Sequence, residues 1–460
     1  MTHRLARYFD LEGNGTTVRT EVLAGCTTFL TMSYIIFVQP AVLSGKMFGF
    51  DTGMDFGAVT VATCLGAAFA SALMGLYARY PIALAPGMGQ NFFFVLTAVP
   101  AAAAAGYENA WQTALGVVFV SGLLFLALSL FRIRETLLKA ISPGMKHAIA
   151  AGIGLFIAFI GLQNAGLILK SPATGVTLNP RLFSADLIVF FVGLLTAGGL
   201  HARKRPAAIL CGILAACVVA TGFKLWRPDS VERYEFARTL VAAPPSIAPT
   251  LLQLDLGNAL SWSMLPFILV FLFMVLFDTV GTLVGVAGQA GMLQDNRLAR
   301  ARQAFTSDAL GTTLGACLGT STVTAYIESA TGVEQGGRTG LTSVVVASLF
   351  LLALFFSPLI AMIGGYPPLT APALVMVGVM MFANTRSIDW TDFTEALPAF
   401  AVIVGIPLCY SIGDGLALGF LCYPVVKLLT GRGREAHWFL YLLAVLIVLY
   451  FVLVRSRLGA

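Results

Sequence analysis

Apolar stretches close to the length of a membrane crossing recur along the chain, near 22–43, 56–77, 110–131, 147–165, 184–202, 206–223, 264–287, 339–363, 367–383 and 436–455. A helix needs about 20 apolar residues to cross a hydrocarbon layer, so each is a candidate span. Four further stretches, 81–98, 305–319, 320–335 and 396–430, are shorter or interrupted by Gly, Pro and polar residues. Interrupted backbone at membrane depth survives only where protein or a water-filled cavity shields it. The stretch 396–430 is long enough for two helices hinged at "YSIGDG", which brings the expectation to about fourteen spans before residue 431. The run "WFLYLLAVLIVLYFVLV" within 436–455 is then an additional C-terminal hydrophobic helix. The pattern predicts an all-α polytopic membrane protein.

Two segments half a chain apart share a layout. "SPGMKHAIAAGIGLFIAFIGLQNAG" and "PPLTAPALVMVGVMMFAN" each open at a proline turn and continue through small residues, and each precedes a helical pair, 184–223 and 396–430. This spacing suggests two halves of seven spans, and an odd number per half makes the repeats inverted, an architecture of transporters. The basic residues test the count. With residues 1–21 in the cytoplasm, the predicted inner loops receive Arg79, the "RIRETLLK" run from Arg132, "HARKR" at 201–205, Arg297, Arg300, Arg302, Arg338, Arg386, Lys427, Arg432 and Arg434. That asymmetry follows the positive-inside rule. The long 224–263 loop, expected on the outer side, mixes both signs.

Composition agrees. Of 460 residues 58% are hydrophobic and 11% charged, far from the roughly one quarter charged of soluble domains. The net charge of +6 resides in short loops, so the basicity is not read as nucleic-acid binding. The seven cysteines form no CxxC pair and are read as packing residues. The polar N-terminal stretch lacks the apolar core of a signal peptide. Neither HExxH nor GxSxG occurs, which argues against an intramembrane enzyme.

A charged side chain at a helix centre costs about 2.5–3.5 kcal/mol on insertion scales, so those that persist usually face a cavity. Asp278 in "VLFDTVGTLVG" is the clearest, with Thr279 and Thr282 near its helical face. "GTSTVTAYIESATGVEQGG" alternates Thr and Ser with small residues around Thr324, a fair short strand, and then places Glu328 at the start of a half-helix. "PIALAPGMGQNFFF" is broken by Pro86, Gly87 and Gly89; Asn91 offers donors and an acceptor, and Phe92 to Phe94 offer ring faces. Broken spans at corresponding places in two halves are the best sequence pointer to a transport site. Each residue has a structural alternative: Asp278 bridging helices, Glu328 satisfying free helix amides, the phenylalanines packing, and Asp308 in "FTSDALG" capping a helix. Together they suit a neutral, planar solute with several N–H donors and disfavour an anion. Carboxylates so placed can also exchange a proton.

These residues resemble a known family. "LFDTVGTLVGVAGQAG", "GTSTVTAYIESATGVEQGGRTGLT" and "LAPGMGQN", with likeness from about residue 4 to 430, look like the AzgA-like purine permeases, a branch of the nucleobase/ascorbate transporters (the NCS2 family). The resemblance implies a proton symporter for adenine, guanine or hypoxanthine in the inner (cytoplasmic) membrane, with no cofactor beyond the coupling proton and with dimerisation as a family property. It implies a core (22–131 and 264–363) and a gate (147–223 and 367–430), with short strands in 81–98 and 320–335 facing the substrate. Asp278 and Glu328 would hydrogen-bond the base, with Asn91, Phe92, Thr282 and Thr324 around it. Asp278, Glu328 and Asp308 would handle the proton. The chain departs from the family pattern at Val275, where an acid is expected, at Gln90 and Phe92, where aliphatic and small residues are expected, and at Glu334 and Gln335. The alternative is a transporter or channel of the same fold for another solute: an anion, xanthine, uracil or ascorbate. Alternating access is the expected cycle, with "SIDWTDFTEALP" as an interfacial linker helix on the gate.

Overall fold

The computed structural model describes residues 2–131, 142–172, 174–205, 207–289, 292–294, 297–298 and 300–450. The "RIRETLLK" loop and residues 451–455 lie outside the described residues. After α1 (Thr2–Phe9), the first span combines α2 (Val18–Met32) and α3 (Tyr34–Leu43), begun by Thr17, whose side chain accepts the Thr20 amide. It starts four residues before the expected 22. α4 (Phe56–Leu73) follows, capped by Asp55. The chain then breaks into β1 (Leu84–Pro86), α5 (Met88–Phe93) and α6 (Val99–Ala104), and crosses again as α7 (Ala110–Phe131). α8 (Pro143–Asn164) has Ser142 as its cap and Pro143 in its first turn, where the missing N–H costs nothing. A hairpin, β2 (Ile168–Ser171) and β3 (Gly175–Leu178), precedes α9 (Ala185–Ala202) and α10 (Ala208–Trp226).

The second half runs through α11 (Leu256–Ala259), α12 (Leu265–Gln289), the ribbon β4 (Leu293–Gln294) and β5 (Arg297–Leu298), α13 (Ala301–Leu318), β6 (Val323–Ala325), α14 (Ser329–Glu334), α15 (Gly340–Ala353), α16 (Ser357–Gly364), α17 (Pro367–Phe382), α18 (Phe393–Leu408) and α19 (Ile412–Leu429). α20 (Trp438–Tyr450) packs on α19. Among the described residues ten helical stretches are long and apolar enough to cross a membrane, and Met88–Ala104 and Phe393–Leu408 are shorter apolar helical segments.

The helices pack as two sets. α8 lies against α17 and α18, α9 against α10 and α17, and α18 against α19; separately, α7 packs on α12 and α13, α4 on α13 and α15, and α2 on α14 and α15. Small residues permit close crossings: a Cβ on Gly154 would stand 2.8 Å from the Gly378 carbonyl, so α8 and α17 meet backbone to backbone.

Two expectations need correction. α13 begins at Ala301, so Asp308 lies in its interior and does not cap it. Of "SIDWTDFTEALP" only the part from Phe393 is α-helical, as the start of α18, while 388–392 is a turn: the Asp389 carboxylate accepts the amides of Thr391 and Asp392, and Asp392 caps α18 through the Thr394 amide.

Candidate functional site

Pro86 and the glycines after it stop a helix in the middle of the first broken span, and Thr-rich 320–325 does so in the second. The two breaks pair. β1 and β6 run antiparallel with Leu84 opposite Ala325, Ala85 opposite Thr324 and Pro86 opposite Val323. Strand backbone inside a helical bundle must find partners, because an unpaired buried amide or carbonyl is costly. Hydroxyls from neighbouring helices supply them. Ser71 both donates to the Leu84 carbonyl and accepts the Leu84 amide at 2.9 Å, Thr312 donates to the Val323 carbonyl at 2.7 Å, and Ser329 accepts the Ala83 amide at 3.0 Å. The Tyr326 hydroxyl closes the pair by donating to the Pro86 carbonyl at 2.5 Å.

Around this two-strand platform the predicted acids converge from separate elements. Asp278, half-buried on α12, accepts a hydrogen bond from Gln90 Nε2 of α5 at 3.2 Å. Asp308, fully buried on α13, accepts the Thr279 hydroxyl at 2.5 Å, and that hydroxyl lies 3.1 Å from the Thr324 hydroxyl of β6. Glu328 precedes α14 but makes no capping bond to it; its Oε1 accepts the Tyr34 hydroxyl of α3 at 2.7 Å. The capping alternative for Glu328 is therefore not realised. Thr282 is buried one turn after Asp278 on α12.

The far end of the platform is neutral and polar. Asn91 accepts the Ser321 hydroxyl, Gln39 donates to the Thr320 and Ser321 hydroxyls at 2.9 and 3.3 Å, and among the described residues Asn91 Nδ2 and Gln39 Oε1 have no hydrogen-bond partner. Phe92 is fully buried, edge-on to Phe48 and Phe156 at 5.8 and 6.3 Å. Its ring packs at the seam where α5 meets α8. Of the departures from the family pattern, Val275 is buried in the apolar core, Glu334 and Gln335 face outward, and Gln90 touches the acid cluster. Sequence reasoning missed Tyr34, Gln39 and Ser321. A usable signal was present in "MSYIIFVQP", where Ser33, Tyr34 and Gln39 interrupt an apolar span. No group of three or more His, Cys, Asp or Glu able to hold a metal occurs among the described residues.

A multi-span helical body in which two broken spans pair inside the bundle and gather carboxylates and amides defines a membrane transporter. Comparison with known proteins makes the assignment specific. A model of the permease family matches residues 19–416, and the chain belongs to that family. It is a transporter and not an enzyme. The guanine/hypoxanthine permease PbuG of Bacillus subtilis is 42% identical over 97% of this chain and 99% of its own length, and the adenine permease AdeP of Escherichia coli is 40% identical over 98% and 97%. Among solved structures, the transmembrane domain of the cyanobacterial bicarbonate transporter BicA has a TM-score of 0.61 at 17% identity, covering 86% of this chain and 97% of that one. That likeness speaks for the fold alone.

Proposed function

We propose that this protein imports purine nucleobases, adenine, guanine and/or hypoxanthine, across the cytoplasmic membrane by proton symport. The observation that carries the reading is the acid cluster: Asp278, Glu328 and Asp308, from three elements, meet at the β1–β6 platform without a lysine or arginine among their hydrogen-bond partners. Acceptors of this kind match the N–H edges of a purine and repel an anion such as bicarbonate. Asp278 and Glu328 receive the base, Asn91, Thr282 and Thr324 add polar contacts, and Phe92 stiffens the apolar wall. Asp278, Glu328 and Asp308 handle the proton, and no cofactor takes part. The names of PbuG and AdeP support the substrate class.

The two packed helix sets support a division into a core, 22–131 and 264–363, and a gate, 147–223 and 367–430. In this reading about fourteen spans form two inverted repeats, residues 1–21 face the cytoplasm, 224–263 lie outside, and the core carries the pocket past the gate in alternating access. A homodimer is the expected assembly.

The test is uptake of radiolabelled adenine, guanine, hypoxanthine and uracil by transport-deficient cells, with Asp278→Asn and Glu328→Gln alongside. Losing a buried charged partner costs about 1.5–3 kcal/mol, so purine uptake should drop roughly tenfold or more in each variant at normal membrane levels. Purine uptake indifferent to both substitutions, or to an imposed proton gradient, would overturn the reading.

A further inference from the structure

The amide of Gln90 is committed at one end only. Nε2 donates to Asp278 Oδ2 at 3.2 Å, whereas Oε1 is buried with no hydrogen-bond partner among the described residues. Gln90 itself is 2% exposed, so solvent does not supply the missing bond. Its carbonyl end rests over Gly87: a Cβ there would collide with the Gln90 amide and stand 2.8 Å from Thr324 Cγ2. With glycine at that place, no side chain at position 87 blocks either end of the amide. A half turn about the Cγ–Cδ bond exchanges the two ends and breaks no bond except the one to Asp278. An ionised carboxylate accepts only, while a carboxylic acid also donates. The same side chain can therefore satisfy Asp278 in both states, Nε2–H to carboxylate or carboxyl O–H to Oε1.

We propose that Gln90 is a positioning residue that follows the protonation of Asp278 by turning its amide, keeping the Asp278 side chain at one place through the transport cycle. This rests on the assignment of Asp278 to the proton and the substrate. The proton arrives from water and adds to the Asp278 carboxylate; the amide exchanges a donated for an accepted hydrogen bond, and no other bond changes. Other titratable groups facing Asp278 are Glu328, Asp308 and Tyr326. α5 and α7, also packed on α12, carry none; α14 carries the outward-facing Glu334, and β5, which follows α12 in the chain, carries Arg297.

The experiment is an infrared pH titration of the full chain in lipid, with purine uptake measured in parallel. The carboxyl C=O band that Asp278→Asn abolishes identifies protonated Asp278. In Gln90→Leu this band should move to higher frequency, as the carbonyl stretch of a carboxylic acid does when its O–H loses its acceptor. Its midpoint should rise by about one pH unit, because an amide bond to the carboxylate is stronger than one to the neutral acid. In Gln90→Glu two carboxyl groups share a proton, and the single midpoint should split in two. An unchanged band and midpoint in Gln90→Leu, or one wild-type midpoint in Gln90→Glu, would overturn the proposal. If Asp278→Asn still accumulates purine, the transport assignment fails separately, while the band still decides whether the amide turns.

Discussion

Glu328 is 5% exposed, and the hydroxyl of Tyr34 donates to it from α3, the second half of the chain's first crossing. Tyr34→Phe keeps the ring and removes that donor. A buried carboxylate deprived of a hydrogen bond loses about 1–3 kcal/mol, so the KM for purine uptake should rise about tenfold with little change in membrane level. Kinetics identical to the wild type would show the hydroxyl to be dispensable. Asp278 and Glu328 were legible in the sequence because an acid inside an apolar run has few alternatives to function. Tyr34, Gln39 and Ser321 were not. Tyrosine, glutamine and serine are tolerated in many spans, and what makes these three part of the site is pairing across the fold with Glu328, Thr320 and Asn91. Asp308 shows the opposite error. Its place after "FTS" suggests a cap, but α13 extends a further turn and more toward its N-terminus, and the acid turns inward to Thr279.

At the scale of elements, the two broken spans were visible as interruptions by Pro86, Gly87 and the Thr-rich segment, and the strands were expected there. The register was not readable, because three residues per strand carry too little pattern to fix it. Nor were the hydroxyls that complete the strand backbone, which come from helices elsewhere in the chain. Ser71→Ala should orphan both backbone groups of Leu84 and lower stability by about 1–3 kcal/mol, read as a lower unfolding temperature in detergent. Ser348→Ala, whose exposed hydroxyl bonds only one turn back to Val344, should leave that temperature unchanged. Equal effects would mean that the platform does not depend on Ser71. The connection into α18 differs from expectation for a related reason: aspartates two and three residues from their backbone partners favour turns over helix. There, Asp392 is held to about 2 by the Thr394 hydroxyl and amide and then by Arg432, and Glu435 to about 2 by Arg432 and then Lys427. Carboxyls depressed below their ordinary range of about 4 contribute above that range and lose the contribution as pH falls toward 2. Hydrogen exchange over residues 432–440 should therefore be constant from about pH 8 to 5 and accelerate, after correction for intrinsic rates, only below about pH 4. Loosening already near neutrality would show that another group holds this segment.

For the whole molecule, the decisive question is whether the two helix sets move past each other. The seam between them is close at α5 and α8. A Cβ built on Gly89 would lie 3.8 Å from Ile153 Cβ, and a disulfide spans Cβ atoms about 3.8 Å apart. Gly89→Cys with Ile153→Cys, in a background lacking the native cysteines, should therefore oxidise readily, since the second substitution also removes the methyl that the first would strike. The adjoining contact of Phe92 with Phe156 belongs to the same seam, so the bond would tie the site-bearing set to its neighbour at the point of nearest approach. If transport requires relative displacement there, oxidation should abolish nearly all purine uptake and a reductant should restore it, with each single cysteine variant insensitive to both reagents. Purine binding measured on the oxidised protein should persist, because the platform and its acids lie on one side of the bond. Uptake at the reduced rate by fully cross-linked protein would mean that α5 and α8 stay together throughout the cycle. The opening to either side would then have to arise within the site-bearing set, around the broken spans, and not between the sets.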